Sequence, residues 1–387
     1  MRFAVLLGAI PALALAAPDE ALLGKAEAYP ACLEFKETKC LVGFWSRMDQ
    51  FGPAHRIAKG KTVRPLPRAA AEPALGLDEF LEHNRNTGLL VMKEGVILAE
   101  RYQYARGPGD RLASASLAKT LVGMLFGIAL AEKRIDSLDD AAEKYVPGLK
   151  GTPYGATPLK ALLTMSSGVR FSDGDYDGKD DASILVHETV QLYGEGGVAS
   201  VAPFRVREAQ AGTKFNYSSA DTQVLGLVLR AAVGKPLAEY LSEKIWQPMG
   251  AEFDATWLVD ASGQEAAYCC INASLRDYAR FGMLLANYGE LDGRQIIPAE
   301  WVRAATTAQA PHLAVGRATP NNGYGYQTWI TDRSGTRFAA LGARGQAIFV
   351  DAARKIVVVH TAVHAAMRDR EGRGEQFRLW KRVLEGL

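Results

Sequence analysis

Residues 113–132 read ASASLAKTLVGMLFGIALAE, and this stretch forms the centre of the predicted fold. From Leu117 to Glu132 the side chains are apolar on most sides of a helix. A helix that is hydrophobic around most of its circumference is buried, so these residues predict a central core helix. Lys119 lies in its first turn and has no evident exposed face, which predicts a buried lysine.

β-Strand patterns lie near both ends of the chain, on either side of this helix in the sequence. Residues 89–92 and 96–99 are apolar runs around the turn 93–95 and predict a β-hairpin. A short helix over 78–85, with Asp78 placed to cap it, precedes the hairpin. Later in the chain, strands are predicted over residues 337–341, 346–350 and 355–361, and a closing helix over about 375–384.

The middle of the chain is predicted to be mainly helical. Helical apolar spacing occurs in residues 158–165, 218–232, 237–246 and 275–286. The predicted fold class is therefore α/β (α+β), with one antiparallel sheet built from both terminal portions and flanked by helices. A mostly helical subdomain is inserted at about 135–285, within a domain over 76–387.

The N-terminus has the pattern of an export signal. Arg2 is followed by an apolar run over 4–16 that ends in the small residues Ala14-Leu15-Ala16. This pattern predicts a cleavable signal peptide over 1–16 and a periplasmic or secreted protein. The run is too short to cross about 30 Å of hydrocarbon, so no stable membrane insertion is expected. Residues 17–75 are predicted to be an irregular N-terminal extension.

The charges exclude some classes of partner. Lys and Arg number 45 against 43 Asp and Glu, giving a net charge of +2 without a block of one sign. Such a mixture does not predict a nucleic-acid partner or an anionic membrane surface. A small-molecule substrate is the expected partner, and the sequence gives no indication of the oligomeric state.

Four cysteines fit an exported protein but leave their pairing open. Cys32 and Cys40 lie eight residues apart and could form a small disulfide in an oxidising compartment. Cys269 and Cys270 are adjacent, so they could form an uncommon vicinal disulfide, remain as buried thiols, or pair with the N-terminal segment. No histidine stands at ligand spacing from either pair, so no metal is expected.

The first candidate catalytic motif is Ser116-Leu117-Ala118-Lys119, at the start of the central helix. Residues three apart share a helical face, so the Lys119 amine can approach the Ser116 hydroxyl. Unpaired N–H groups at the helix N-terminus favour a developing alkoxide, and desolvation lowers the pKa of a lysine. The alternative is a capping serine followed by a solvated lysine.

A second motif, Tyr217-Ser218-Ser219, precedes a predicted helix. As a tyrosinate, or by sharing its proton with Lys119, Tyr217 could move the Ser116 proton to a leaving group. Ser219 could orient the lysine by a hydrogen bond. The alternative is that a serine caps the helix while the tyrosine packs.

A third candidate is the segment 342–346, GARGQ, which leads into a strand. Gly345 would let a substrate approach the backbone closely, and the Gln346 N–H could join that of Ser116 as an oxyanion hole. An ordinary strand entry is the alternative. The six histidines complete no Ser-His-Asp arrangement with a nucleophile-elbow glycine pattern, and His360 and His364 are expected to be structural.

In their order along the chain, these motifs resemble those of the serine β-lactamase and penicillin-binding-protein superfamily. The resemblance is stronger to the branch that holds class C β-lactamases, family VIII esterases and 6-aminohexanoate-dimer hydrolases. It covers about residues 80–387. Further matching segments are residues 163–169, 275–282, 297–301 and 324–326.

The resemblance implies roles for further residues. Within residues 171–176, FSDGDY, Tyr176 matches a loop tyrosine that contacts substrate in the nylon-oligomer hydrolases, which makes it a candidate for binding the leaving group. The alternative is a surface-loop tyrosine among aspartates. Ala343-Arg344-Gly345 replaces the Lys-Thr-Gly motif of β-lactamases, which argues against β-lactam hydrolysis. Arg344 could supply the missing charge to a substrate carboxylate, or it could point to solvent. The resemblance also places Cys269 and Cys270 near the rim of the site, with a packing role and a redox effect on access both open.

Together, the motifs predict a serine hydrolase that works through a covalent acyl-enzyme without a metal or organic cofactor. Small esters or short amides are the expected substrates. D-Ala-peptide or β-lactam hydrolysis is the first alternative, and a non-catalytic binding or scaffold protein on the same fold is the second.

Overall fold

The computed structural model describes residues 38–191 and 194–387. Its strands are β1 (Ala54–Ile57), β2 (Asn86–Lys93), β3 (Val96–Tyr102), β4 (Leu112–Ala113), β5 (Ala255–Leu258), β6 (Ile271–Ala273), β7 (Glu290–Leu291), β8 (Arg294–Gln295), β9 (Gly323–Tyr324), β10 (Trp329–Ile330), β11 (Arg337–Gly342), β12 (Gln346–Asp351) and β13 (Ile356–Ala362). Its α-helices are α1 (Thr38–Ser46), α2 (Leu77–His83), α3 (Leu117–Ala131), α4 (Leu159–Leu163), α5 (Asp181–Thr189), α6 (Ser219–Val233), α7 (Leu237–Leu241), α8 (Leu275–Ala286), α9 (Ala299–Ala305) and α10 (Arg370–Gly386).

A seven-stranded antiparallel sheet joins both terminal portions of the chain. Its strand order is β3-β2-β13-β12-β11-β10-β9, so the early hairpin pairs with the last strand. Side chains of successive residues point to opposite faces of a strand, and in β12 Phe349 packs in one core while Ile348 packs in the other. Burial on both faces explains the nearly continuous apolar runs of β12 and β13.

Helices cover both faces of this sheet. On one face α10 packs beside α2, and the Trp380 ring stacks on Phe349 with centroids 5.5 Å apart. On the other face α8 and α3 fill the larger core. Gly282 permits the close approach of α8, because a Cβ there would lie 2.6 Å from Val357 of β13. The predicted fold class, an antiparallel sheet flanked by helices, is confirmed.

A second, four-stranded sheet was not predicted. It has the order β1-β5-β6-β4 and uses a strand from the N-terminal extension as an edge. Helix α1 of the same extension buries Leu41, Val42 and Phe44 in the larger core. The description of the extension as irregular is therefore wrong for residues 38–57. The predicted signal peptide and Cys32 lie outside the described residues.

Most predicted elements occur within a few residues of their observed bounds, with three differences. Gly76, with φ +62°, precedes α2 and makes no side-chain cap, so the capping role of Asp78 is wrong. Helix α10 begins earlier than expected, where Asp369 accepts a hydrogen bond from the Gly372 N–H. The helix predicted over 237–246 is α7 followed by a single π turn, Ser242–Trp246. In the part of the chain that the structure describes, no helix has the length and apolarity needed to span a membrane.

Candidate active site

The first turn of α3 presents Ser116 at the edge of a cavity. Just before it, Ala115 has φ +44°, a conformation that non-glycine residues rarely adopt and that occurs often at functional sites. The Ser114 N–H donates to the Ile271 carbonyl at 2.7 Å, and the Ser114 hydroxyl accepts from the Ile271 N–H at 3.1 Å. These bonds to β6 fix the turn. Within the described residues the Ser116 N–H donates no hydrogen bond, so it is available to donate one to an oxyanion.

Lys119 is buried beside the serine, as the apolar helix predicted. Its side chain is 1% exposed, and its amine lies 2.9 Å from the Ser116 hydroxyl. It also donates to the Ser219 hydroxyl at 3.1 Å and to the Tyr268 carbonyl at 3.2 Å. Burial lowers the pKa of Lys119 to about 8, although the nearby Asp173 carboxylate opposes this shift. A lysine in this state can accept a proton near neutral pH.

Tyr217 completes the predicted group on the other side of the serine. Its ring stacks on Trp329 with centroids 5.2 Å apart and packs edge-on against Tyr324. Burial raises the pKa of Tyr217 well above its usual value, more than its hydrogen bond with Ser116 lowers it. The Tyr217 phenol is therefore protonated before the reaction. The neutral form of Lys119, rather than Tyr217, is then the group that can accept the Ser116 proton.

Ser219 and Asp173 form a support behind the lysine. The Ser219 hydroxyl donates to Asp173 at 2.6 Å while it accepts from Lys119, and the Ser219 N–H donates to the same carboxylate at 3.1 Å. Tyr176 is a neighbour of Ser219 and lines the cavity in front of Ser116, so this predicted contact residue lies at the site. Arg368 lies 3.5 Å from Asp173 and balances its charge. Sequence reasoning missed Asp173, although it stands in the quoted segment FSDGDY.

The third motif forms a tight turn, Ala343–Gly345, between β11 and β12. The Arg344 guanidinium donates to the carbonyl groups of His364 and Ala365 at 2.6 and 2.8 Å. Burial, and secondarily the neighbouring Arg85, lowers the pKa of Arg344 to about 10. These two contacts hold the guanidinium against the backbone, and Arg344 also lines the cavity in front of Ser116. Its role toward a substrate carboxylate stays a prediction.

The Gln346 N–H is also engaged, since it donates to the Ala343 carbonyl. The Gln346 side chain donates to the Ala362 carbonyl at 2.7 Å and accepts from the Ala362 N–H. The structure therefore does not support Gln346 as a second oxyanion donor. Gly345 has φ +91°, and a Cβ there would lie 2.7 Å from the His364 ring. The positive φ and the close His364 ring explain why glycine stands at position 345.

The cavity in front of Ser116 has a volume of about 760 Å³. One wall comes from α1 and the turn after it, through Phe44, Trp45 and Met48. Sequence reasoning missed this wall, and the apolar spacing in residues 41–51 was the available signal. The remaining lining residues include Tyr176, Ile184, Val190, Tyr268, Cys269, Cys270, Ala343 and Met367.

The structure resolves the pairing of the adjacent cysteines. Cys269 and Cys270 form a vicinal disulfide, and Cys40 is also disulfide-bonded. Neither partner of the vicinal pair is exposed by more than 9%. No cluster of three or more His, Cys, Asp or Glu side chains is placed to hold a metal in the described ranges.

A serine at the start of a buried helix, a desolvated lysine within its first turn and a helix-flanked antiparallel sheet define a serine hydrolase of β-lactamase-like fold. The sequence model of the beta-lactamase family matches residues 77–375, and the chain belongs to this family.

Similar proteins agree with this assignment. The chain is 28% identical over 339 residues to the 6-aminohexanoate-dimer hydrolase of Paenarthrobacter ureafaciens, covering 80% of this chain and 86% of the relative. A solved Bacillus anthracis structure, provisionally described as a 6-aminohexanoate-dimer hydrolase, has a TM-score of 0.81 and 26% identity, covering 92% of this chain and 97% of its own. A penicillin-binding-protein homologue from Caulobacter crescentus shares the fold, with a TM-score of 0.63, 17% identity and coverage of 82% and 99%.

Proposed function

We propose that this protein hydrolyses esters or short linear amides through an acyl-enzyme on Ser116. The observation that carries the proposal is the 2.9 Å separation of the Ser116 hydroxyl from a buried Lys119 amine. A solvated lysine would stay protonated at neutral pH, whereas the pKa of about 8 leaves a reactive fraction as free amine.

In the proposed mechanism, neutral Lys119 accepts the Ser116 proton as the serine oxygen attacks the substrate carbonyl. The Ser116 N–H and the N-terminal dipole of α3 stabilise the negative charge that develops on the carbonyl oxygen. Protonated Tyr217 gives its proton to the departing oxygen or nitrogen and regains one from Lys119. Water then attacks the acyl carbonyl while neutral Lys119 accepts a proton from it. Lys119 passes this proton to the Ser116 oxygen as the acyl–oxygen bond breaks, which releases the acid product and restores Ser116, neutral Lys119 and protonated Tyr217.

Hydrolysis of β-lactams or D-Ala peptides is the second candidate. In the β-lactamases, the lysine of the third motif helps to bind a substrate carboxylate. Here Arg344 stands in that motif, and its guanidinium contacts two backbone carbonyl groups instead. The 6-aminohexanoate-dimer hydrolase among the relatives favours a linear amide instead of a lactam ring.

A panel of substrates tests this function. We expect the mature protein to hydrolyse p-nitrophenyl acetate and butyrate or the linear 6-aminohexanoate dimer, and to leave nitrocefin intact. Each reaction is also run with Ser116→Ala, which measures the hydrolysis that does not depend on Ser116. Rapid, Ser116-dependent nitrocefin turnover would contradict the argument from the third motif, and ester turnover that survives Ser116→Ala would contradict the mechanism.

The apolar wall of the cavity predicts a preference for acyl chains longer than acetyl. Trp45 and Met48 line the cavity together with Ser116, so a longer chain can bury methylene groups against them. Trp45→Ala should lower kcat/KM for p-nitrophenyl butyrate by about tenfold and change that for acetate by less than about threefold. Phe51→Ala is the matched control, because Phe51 packs on Phe44 at 5.2 Å from outside the cavity lining. Equal losses on both esters, or the same pattern in Phe51→Ala, would refute this specificity.

A further inference from the structure

The vicinal disulfide stands between two contacts that hold the candidate catalytic residues. On one side of it, the Tyr268 carbonyl accepts the hydrogen bond from Lys119 at 3.2 Å. On the other side, Ile271 bonds Ser114 in the turn that presents Ser116. Both cysteines also line the cavity in front of Ser116. A change in their backbone therefore acts on the lysine, on the serine turn and on the pocket wall.

The backbone at the disulfide adopts a conformation that a non-glycine residue rarely takes. Cys270 has φ +73°, in the left-handed region. The disulfide closes a small ring that includes the peptide bond between the two cysteines, which restricts this segment to few conformations. The Cys269 carbonyl accepts from the Trp257 indole at 2.9 Å, and the Cys270 carbonyl accepts from the Leu258 N–H at 3.2 Å. Opening the ring removes the covalent restraint while these two bonds to β5 remain.

We propose that the Cys269–Cys270 disulfide is a positioning element for Lys119. In the closed ring, the Tyr268 carbonyl is held against the lysine amine and the disulfide seals the cavity wall beside it. Opening the ring lets this segment relax and water reach Lys119, which slows the acylation of Ser116. The inference rests on the proposed function, because acylation is the activity that it modulates.

A dithiol reducing agent supplies the electrons and protons that are needed to open the disulfide. A thiolate of a dithiol attacks one cysteine sulfur, breaks the bond between the two sulfurs and forms a mixed disulfide. The second thiolate of the dithiol then closes its own ring and releases the cysteine. Two electrons and two protons pass to the protein, which keeps two neutral thiols below a pH of about 8.5. Reduction therefore changes the shape of the wall without adding a charge at neutral pH.

Opening the disulfide is expected to raise the pKa of Lys119. Its pKa of about 8 results from burial, so water that enters beside the amine raises the pKa toward its usual value. In the part of the chain that the structure describes, the charged and titratable groups around the amine lie in four loops, one of which also carries the disulfide. They are Asp173, Tyr176, Tyr217, Tyr268 and Arg368.

The test measures the rate at which a fluorophosphonate labels Ser116 as a function of pH. Oxidised wild type should show a rising profile with a midpoint near the Lys119 pKa of about 8. Treatment with dithiothreitol should move the midpoint up by about one pH unit and lower the rate at pH 7 about tenfold, with recovery on reoxidation. Intact mass, higher by about 2 Da per opened disulfide, reports how far reduction has gone.

Two variants separate the vicinal pair from the other cysteines. Cys269→Ser/Cys270→Ser should reproduce the reduced profile and ignore dithiothreitol. Cys32→Ser/Cys40→Ser, which leaves Cys269 and Cys270 as the two remaining cysteines of the sequence, should respond as wild type does. If the first variant does not fold, the reversible reduction of folded wild type decides the question.

The inference is overturned if Cys269→Ser/Cys270→Ser keeps the wild-type midpoint, whether its labelling rate stays the same or falls equally at every pH. Either outcome leaves the disulfide a structural clamp with no effect on Lys119. A wild type that the fluorophosphonate does not label at all identifies a different failure, because it removes the proposed function on which the inference depends.

Discussion

Ser116→Ala is expected to abolish hydrolysis and covalent labelling while leaving the fold intact. The loss in kcat/KM should be about 10⁴-fold or more, because no acyl-enzyme can form without the serine oxygen. Among residues 38–191 and 194–387, the hydrogen-bond partners of the Ser116 side chain are Lys119 and Tyr217, both within the candidate site. Its removal should therefore change the thermal unfolding midpoint by less than about 2 °C.

The measurement is intact mass after incubation with a fluorophosphonate, together with ester hydrolysis. Ser114→Ala is the matched control, two residues away in the same turn. The Ser114 hydroxyl donates to the Ala115 carbonyl at 2.9 Å and accepts from Ile271, so it is committed to the backbone. Ser114→Ala keeps the Ser114 N–H bond to the Ile271 carbonyl that helps to fix the turn, so this variant and the wild type should both gain one adduct. An adduct on Ser116→Ala would place the nucleophile elsewhere.

The part of the site that could be predicted from sequence is the part encoded by local spacing. Ser116 and Lys119 are three residues apart on a helix, and the geometry of the helix alone brings them together. The apolar residues after Lys119 also predicted that it is buried. For Tyr217 and Ser219 the local sequence left a capping alternative open, and only the family resemblance connected them with Ser116. The reason is that 100 residues separate Lys119 from Ser219 and no local rule connects them.

The parts that could not be predicted depend on tertiary packing. Asp173 becomes a partner of Ser219 only because the loop before α5 folds onto the start of α6. Arg344 occupies the position of a charged motif, yet its φ of +53° and two carbonyl acceptors turn its guanidinium into the protein. The residue type suggested carboxylate binding, whereas these two backbone contacts could not be read from the sequence.

The N-terminal extension before residue 76 is a second region whose structure could not be predicted from the sequence. Its polar and proline-containing segments obscured the apolar spacing of α1, which is visible over only nine residues. Strand β1 has four residues and gains its partner from β5, about 200 positions later. A short strand of this kind has no clear signal of its own, because its stability comes from the sheet that it joins.

Lys119→Met is expected to reduce acylation of Ser116 by about 10³-fold while leaving the folded state at least as stable as wild type. Methionine has a similar length and can fill the buried space, but it cannot accept the Ser116 proton. It also removes an amine whose protonation is disfavoured in the folded state, because burial lowers the Lys119 pKa from 10.5 to about 8.

The pH dependence of stability separates a catalytic lysine from a structural one. Between pH 8 and pH 10.5 the unfolded wild type binds more protons at Lys119 than the folded protein does, so wild-type stability rises over this window. Below pH 8 the Lys119 amine of the wild type is charged in the folded protein, so the folded state carries the full cost of burying that charge. Lys119→Met has no such cost. Chemical unfolding should therefore find the variant equal or more stable at pH 7, with its advantage shrinking as the pH approaches 10.5. A variant that unfolds more easily at pH 7 would instead make Lys119 a structural residue, since the loss of labelling would then follow from the loss of the fold.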